Sequence, residues 1–171
     1  MPVSSPLGKN IIKDWFDRQT DISSIVDVGA GAGTYRDLLG GKYHWTAVEI
    51  WEDYINKYNL KSRYENVVYG DIAKIELPDA DCIIFGDIIE HLKFYEGRDV
   101  LVRAIKKYKH VVLSIPLGVY QQGAIEGNPY EEHQSTWELA LIPQFSDWEI
   151  IHIEAVNPKL PGVMQMAVFI K

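Results

Sequence analysis

The sequence predicts an α/β fold: a doubly wound, mainly parallel seven-stranded sheet, with helices on both faces and a C-terminal antiparallel hairpin. Three observations predict it. Short β-branched runs alternate with segments of helical periodicity along most of the chain. The run Cys82-Ile83-Ile84-Phe85 is continuously apolar, as a central parallel strand requires. The last two strands are joined by a connection too short for a parallel crossover.

The elements follow in order. Ser5 and Pro6 read as a helix cap and first-turn proline, and Leu7, Ile11, Ile12, Trp15 and Phe16 form an apolar face that ends near Thr20. Ile25 to Val28 is the first strand, stopped by glycine. A helix through Tyr35, Leu38 and Leu39 closes at Gly40-Gly41. His44 to Val48 is the second strand and ends at Glu49; Trp51 to Tyr58 is helical. Asn66 to Tyr69 is the third strand, ending at Gly70-Asp71. Cys82 to Phe85 is the fourth. A helix carrying Val100, Leu101, Ala104 and Ile105 leads to the fifth strand, His110 to Ile115, halted by Pro116. A loop over 117–132 precedes a short helix from Ser135 to Phe145. Strands Trp148 to Val156 and Val163 to Ile170 flank the turn Asn157 to Gly162.

The 171 residues suit one domain spanning 1–171. Seventeen basic against 24 acidic residues give a net charge of −7, which opposes nonspecific contact with a nucleic-acid backbone. The densest basic group, Arg103, Lys106, Lys107 and Lys109, reads as the face and C-terminal end of a helix, where cations complement the dipole. Cys82 is the only cysteine, so it forms neither an internal disulfide nor a thiolate cluster, and it reads as buried core. No apolar stretch has the length of a membrane span and the N-terminus lacks a signal-like pattern, so the expected compartment is the cytoplasm.

Ligands of such sheets bind beyond the carboxyl ends of the strands, where strand order reverses. The chemistry is therefore expected at the strand ends. After the first strand comes Asp27-Val28-Gly29-Ala30-Gly31-Ala32-Gly33. Alternating glycines let the backbone turn sharply and approach a ligand, and the following helix N-terminus suits an anionic group. A dinucleotide fingerprint has its third glycine three positions after the second. Here that position is Thr34, and Gly33 falls one short. Asp27 suits an ammonium group, which favours a ligand with an amino-acid end over a pyrophosphate. Glu49, ending the second strand, suits the two hydroxyls of a ribose.

The stretch resembles the first motif of class I S-adenosylmethionine-dependent methyltransferases, acidic-x-Gly-x-Gly-x-Gly, and the order of elements resembles that family over nearly the whole chain. The resemblance implies S-adenosylmethionine as cofactor, held by Asp27, Gly29, Ala30, Gly31, Gly33 and Glu49. It further implies Ile50 and Ile72 against the adenine ring, Asp71 at its amino group, and Asp87 near the cofactor. The segment Asp87-Ile88-Ile89-Glu90-His91-Leu92 is similar to the Asp-x-x-Glu-His-Leu segment of small-molecule methyltransferases. There His91 would orient a substrate or accept its proton, although a structural hydrogen bond at a helix start explains it equally well.

A later segment, Asn128-Pro129-Tyr130-Glu131-Glu132-His133, resembles the family's His-x-x-x-aromatic region. It would set Tyr130, Glu131 and His133 around the acceptor, whereas Ser135 and Glu138 fit a plain helix cap. Tyr130, His91 and His133 are the catalytic candidates. The fifth strand ends Ser114-Ile115-Pro116 and lacks the Asp-Asn pair of magnesium-dependent members, so no metal is implied.

The expected activity is in-line methyl transfer to a small-molecule or glycan-like acceptor, sensed by the 117–132 loop, the N-terminal helix or a partner protein. Two other readings stand beside it. One is a non-catalytic domain that binds S-adenosylmethionine or S-adenosylhomocysteine as a sensor or subunit. The other is a nicotinamide oxidoreductase, opposed by the glycine spacing and the closing hairpin.

Overall fold

The structure is a computed structural model that describes residues 5–142, 148–155 and 165–171. Its sheet has the strand order β3-β2-β1-β4-β5-β7-β6. The five strands β1 (Ser24–Val28), β2 (His44–Glu49), β3 (Asn66–Tyr69), β4 (Cys82–Gly86) and β5 (His110–Leu117) run parallel. Strand β7 (Gln165–Ile170) pairs antiparallel with both β5 and β6 (Glu149–Ala155). The expected turn Asn157 to Gly162 lies outside the described residues.

Alternate residues of each strand enter two cores on opposite faces of the sheet. One face packs Val26, Ile83, Phe85, Val111 and Leu113 under α5 (Phe94–Lys107). The other packs Ile25, Ala47, Cys82, Ile84 and Val112 under α1 (Lys9–Arg18) and α2 (Thr34–Leu39). The short helices α3 (Glu52–Lys57) and α4 (Leu60–Arg63) add Ile55 and Leu60 to that second core. Strand order reverses between β1 and β4, so the carboxyl ends of these two strands open a crevice.

Three local expectations are corrected. The first helix begins at Lys9, after Gly8, rather than at Pro6; Ser5 instead bonds the next turn, its Oγ accepting from the Leu7 amide at 3.3 Å. Strand β5 runs through Pro116 to Leu117. The Ser114 carbonyl accepts from the Asp87 amide on the β4 side, and residues two apart share a side. The missing N–H of Pro116 therefore falls beyond the end of β4, where no ladder bond is lost, while Pro116 stays in register with Met166 of β7.

The helix expected over Ser135 to Phe145 is replaced by an extended segment and one turn, Leu139–Leu141; residues 143–147 lie outside the description. Burial of Trp137 overrides the capping pattern. Its ring packs 4.9 Å from Phe94, and its carbonyl accepts from the Gly118 amide at 2.8 Å.

Two members of the basic group, Arg103 and Lys107, lie on α5 and make structural contacts. Arg103 donates to the carbonyls of Ile72, Ala73 and Ile75, and Lys107 to that of Leu77, which fastens the β3–β4 connection to the helix.

Gly86 ends β4 where the Tyr35 ring crosses it, and a Cβ there would sit 1.9 Å from Tyr35 Cε2. The Gly86→Ala variant is expected to lose about 1–3 kcal/mol of stability through overpacking. A lowered urea midpoint with unchanged slope checks this; an unchanged midpoint contradicts the packing described.

Candidate active site

The crevice is a cavity of about 360 Å³, bordered by the ends of β1, β2, β3 and β4 and by the loop after β5. The glycine turn forms its floor. Gly29 has φ 63° and Gly31 φ 47°, and the Gly29 amide donates to the Val48 carbonyl at 2.8 Å, pinning the turn to β2. A Cβ at Gly29 would lie 2.0 Å from Ile88 Cδ1, so backbone and close packing both demand glycine there.

Glu49 holds this turn from the next strand. One carboxylate oxygen accepts from the Gly31 amide and the other from the Trp51 amide, each at 2.9 Å. Glu49 is 4% exposed, and burial raises its pKa against the lowering effect of those amides. A carboxylate has about four acceptor positions, so both oxygens keep capacity for a ligand.

Asp27 points from β1 into the same cavity and is 2% exposed. Among the described residues its hydrogen-bond donor is the Tyr64 hydroxyl, at 2.7 Å from Oδ2. Burial pushes its pKa up to about 7, against the lowering effects of Tyr64 and Lys9. A buried acid in this state is poised to receive a cation.

At the end of β3, Asp71 is engaged by its own turn. Oδ1 accepts from the Ala73 amide at 2.9 Å and Oδ2 pairs with Lys74 at 2.8 Å. Ile72 is buried and Ile50 half-buried, and both border the cavity beside Asp71.

At the end of β4, Asp87 adopts φ 59°, a left-handed conformation that costs a non-glycine residue free energy. Bonds on several sides hold it. Its amide donates to the Ser114 carbonyl at 2.9 Å, Oδ2 accepts from the Ser5 amide at 2.8 Å, and Oδ1 accepts from Ser114 Oγ at 3.3 Å. The N-terminal segment is thereby tied across the rim. Lys9 follows it inward: its ammonium lies 4.4 Å from the centre of the Tyr35 ring and 3.3 Å from the Tyr35 hydroxyl. Burial lowers the Lys9 pKa, opposed by the charges of Asp87 and Asp27.

The remaining wall comes from the turn Ile89–His91 and the loop after β5. Glu90 fastens them together, its carbonyl accepting from the amides of Gln134 and Ser135 at 2.9 and 3.1 Å. His91 and His133 meet with ring centroids 4.7 Å apart and planes at 82°. His91 Nδ1 lies 3.2 Å from the Glu132 carbonyl and His133 Nδ1 lies 3.0 Å from the Tyr120 carbonyl. Carbonyls only accept, so each Nδ1 carries the hydrogen and each Nε2 keeps its lone pair. Burial, reinforced by His133, lowers the His91 pKa to about 4, and burial lowers that of His133. Both rings are therefore neutral near pH 7. Tyr130 packs edge-on to Trp51 at 5.8 Å and borders the cavity, as do Tyr120 and Glu131.

The structure thus brings Asp27, Gly29, Ala30, Gly31, Glu49, Ile50, Asp71, Ile72, Asp87, His91, Tyr130 and His133 to one cavity. Gly33 stands apart from that lining and starts α2, close against the Arg63 guanidinium. Phe16 is core. Sequence reasoning missed Lys9, Tyr35 and Tyr64, which reach the site from helices or a helix end; their spacing relative to the glycine turn carries no signal. It also passed over the side chain of Glu90, which lay in plain view between Asp87 and His91.

No family model and no curated protein matches the chain. Solved structures do match. The N-terminal domain of EvdMO1, crystallised in the presence of SAH and D-fucose, superposes with TM-score 0.72 at 12% identity over 98% of this chain and 83% of that one. The PH0226 protein from Pyrococcus horikoshii OT3 gives 0.64 at 17% identity over 95% and 88%. Magnesium protoporphyrin IX methyltransferase (ChlM) from Synechocystis PCC 6803, with bound SAM, gives 0.65 at 11% identity over 95% and 77%. The fold is that of class I methyltransferases. No helix among the described residues is long and apolar enough to cross a membrane.

The raised pKa of Asp27 makes stability pH-dependent. An unfolded aspartate titrates near 3.9, and the folded one near 7. Between these values the folded state keeps a proton that the unfolded state has lost, so this group's contribution to stability falls as pH rises. The Asp27→Asn variant escapes the penalty and can still accept from Tyr64. It should be more stable than the parent at pH 8, by on the order of 1–4 kcal/mol, and lose most of that advantage by pH 4.5. Urea midpoints at the two pH values check this; a constant difference contradicts it.

Proposed function

We propose that the chain is an S-adenosylmethionine-dependent methyltransferase acting on a small-molecule or glycan-like acceptor. The observation that carries the reading is one continuous cavity with two chemically distinct halves. One half is a glycine cradle with two buried carboxylates. The other holds neutral imidazoles and the Tyr120 phenol.

The residues present fit the cofactor. The glycine turn borders the cavity with bare backbone at Gly29 and Gly31, both at positive φ, which lets a ligand approach closely. Asp27 is a buried acid that accepts from the Tyr64 hydroxyl on one oxygen, suited to an amino-acid ammonium group. Glu49 stands one strand over with acceptor capacity for a diol. Ile50 and Ile72 offer apolar contact for a flat ring, with Asp71 beside them for an exocyclic amine. The cavity volume lies within the range of about 300–1,000 Å³ usual for ligand sites. Neighbours of the same fold were crystallised with SAH or SAM, which supports the same cofactor here.

The bound cofactor would supply an already activated methyl group. The protein's part is then chiefly orientation, which can be worth about 7–11 kcal/mol. Asp87, held by Ser5 and Ser114, keeps the boundary between the two halves rigid. His91 and His133 present unprotonated Nε2 atoms on the acceptor side; burial makes His91, with its pKa near 4, the weaker base, so His133 is the candidate to take a proton from a hydroxyl. Tyr120, its ring 5.1 Å from that of His133, walls the acceptor side, whereas Tyr130 lies against Trp51 after β2. An aromatic and imidazole wall favours an enzyme over a sensor, which needs no second half.

Calorimetry should show binding of S-adenosylmethionine and S-adenosylhomocysteine but not NAD; binding of NAD alone contradicts the reading. Glu49→Ala should weaken S-adenosylmethionine binding about ten- to hundredfold, the range for a lost hydrogen bond to a charged group. Asp27 must ionise to receive an ammonium, so affinity should rise from pH 5 towards pH 7, by up to about tenfold per unit, with proton release. Titrations in buffers of different ionisation heat detect that release; pH-independent affinity across this window would sink the role given to Asp27.

A further inference from the structure

Glu90 has no part in methyl transfer by orientation, and the two imidazoles beside it would, with an ion bound, hold that ion instead of acting as bases. Glu90 is 2% exposed, and its Oε2 has no hydrogen-bond partner among the described residues. An orphaned carboxylate oxygen inside a protein costs free energy unless something positive meets it. Beside it stand His91 and His133. One ligating atom from each of the three residues lies within 4.8 Å of those of the other two.

The two imidazoles are oriented as metal ligands are. Each donates its Nδ1 hydrogen to a backbone carbonyl, His91 to Glu132 and His133 to Tyr120. Such a bond fixes the tautomer and turns the Nε2 lone pair outward, the usual arrangement around a bound ion. The supports are themselves tied down: the Glu90 carbonyl takes the Gln134 and Ser135 amides, and the His133 amide donates to the Gln122 carbonyl. The donors thus come from two segments locked together by backbone hydrogen bonds. All three residues border the cavity that also holds the glycine cradle.

We propose that Glu90, His91 and His133 form a binding site for a divalent first-row transition ion, such as Zn²⁺, Fe²⁺ or Co²⁺. Two imidazoles and one carboxylate are a donor set that suits these ions and leaves coordination positions open. Metal–ligand bonds of about 2.0–2.1 Å put tetrahedral donors about 3.4 Å apart, so loading would draw the side chains together by up to about 1.4 Å from a spacing within 4.8 Å. The open positions would give onto the cavity that the three residues border. There they would take an oxygen of the acceptor, a hydroxyl or a vicinal pair; this last step rests on the methyltransferase reading, while the ion site does not. The site differs from the magnesium pair sought at the end of β5, because its donors come from the exit of β4 and from the loop beyond β5.

The test uses the full chain, stripped with a chelator and dialysed, then titrated with Co²⁺ alone and followed by visible absorption and calorimetry. One equivalent should bind with ligand-field bands. His133→Ala and the isosteric Glu90→Gln should each weaken binding at least tenfold, with near-UV circular dichroism unchanged. His110→Ala, which alters an imidazole next to Asp21 far from the cluster, should leave binding intact. No stoichiometric Co²⁺ binding overturns the site, as does binding that survives a His91→Ala/His133→Ala double variant. Mg²⁺ binding in place of Co²⁺ also overturns it. S-adenosylmethionine affinity measured on the same preparations separates the two claims. Cofactor binding without Co²⁺ rejects the ion site alone; Co²⁺ binding without cofactor rejects the methyltransferase reading alone.

Discussion

The clamp from Glu49 to the Gly31 amide organises this molecule. It joins the loop after β1 to the end of β2 by a charge-assisted bond in a buried setting. Its other oxygen fixes the entry to α3 through the Trp51 amide. The rest of the turn is anchored by the Gly29 amide on the Val48 carbonyl and by Arg63, which donates to the carbonyls of Ala32 and Gly33. The crevice at the strand-order reversal exists because this turn is held open and narrow at once.

A second constraint works from the other side. Asp87 keeps an unfavourable backbone conformation while Ser5 and Ser114 bind its carboxylate and the Ser114 carbonyl takes its amide. The N-terminal segment thereby becomes part of the site. It brings Lys9 into electrostatic reach of Asp27 and Asp87 and sets its ammonium over the Tyr35 ring. Tyr35 in turn fills the space that Gly86 vacates. Strain, close packing and a buried charge are thus coupled around one strand end, where stored strain commonly serves function.

Much of this was legible in the sequence because the signals are local. The spacing Asp27, Gly29, Gly31, Gly33 and the acidic end of the second strand each lie within a few residues, and both proved to face one cavity apart from Gly33. Residues that arrive from afar were not legible. Tyr64 lies 37 positions from the acid it serves, and nothing in its neighbourhood marks it. Where a local signal misled, a tertiary demand prevailed. The Ser135 pattern looked like a helix cap, but burial of Trp137 against α5 holds the segment extended. Pro116 looked like a stop, but its missing donor falls beyond the end of β4. His91 and His133 were each picked out as bases. Their meeting with Glu90 depends on a loop closing across 42 residues, a distance no motif reports.

The account stands on the crevice being a nucleoside site built around Asp27, the glycine turn and Glu49. A crystal structure of the protein with S-adenosylhomocysteine tests that most directly. It should show the ligand's amino group within hydrogen-bond distance of Asp27 and its ribose hydroxyls on Glu49, with the purine between Ile50 and Ile72. A ligand seated elsewhere, or a crevice without ligand at saturating concentration, would contradict the account.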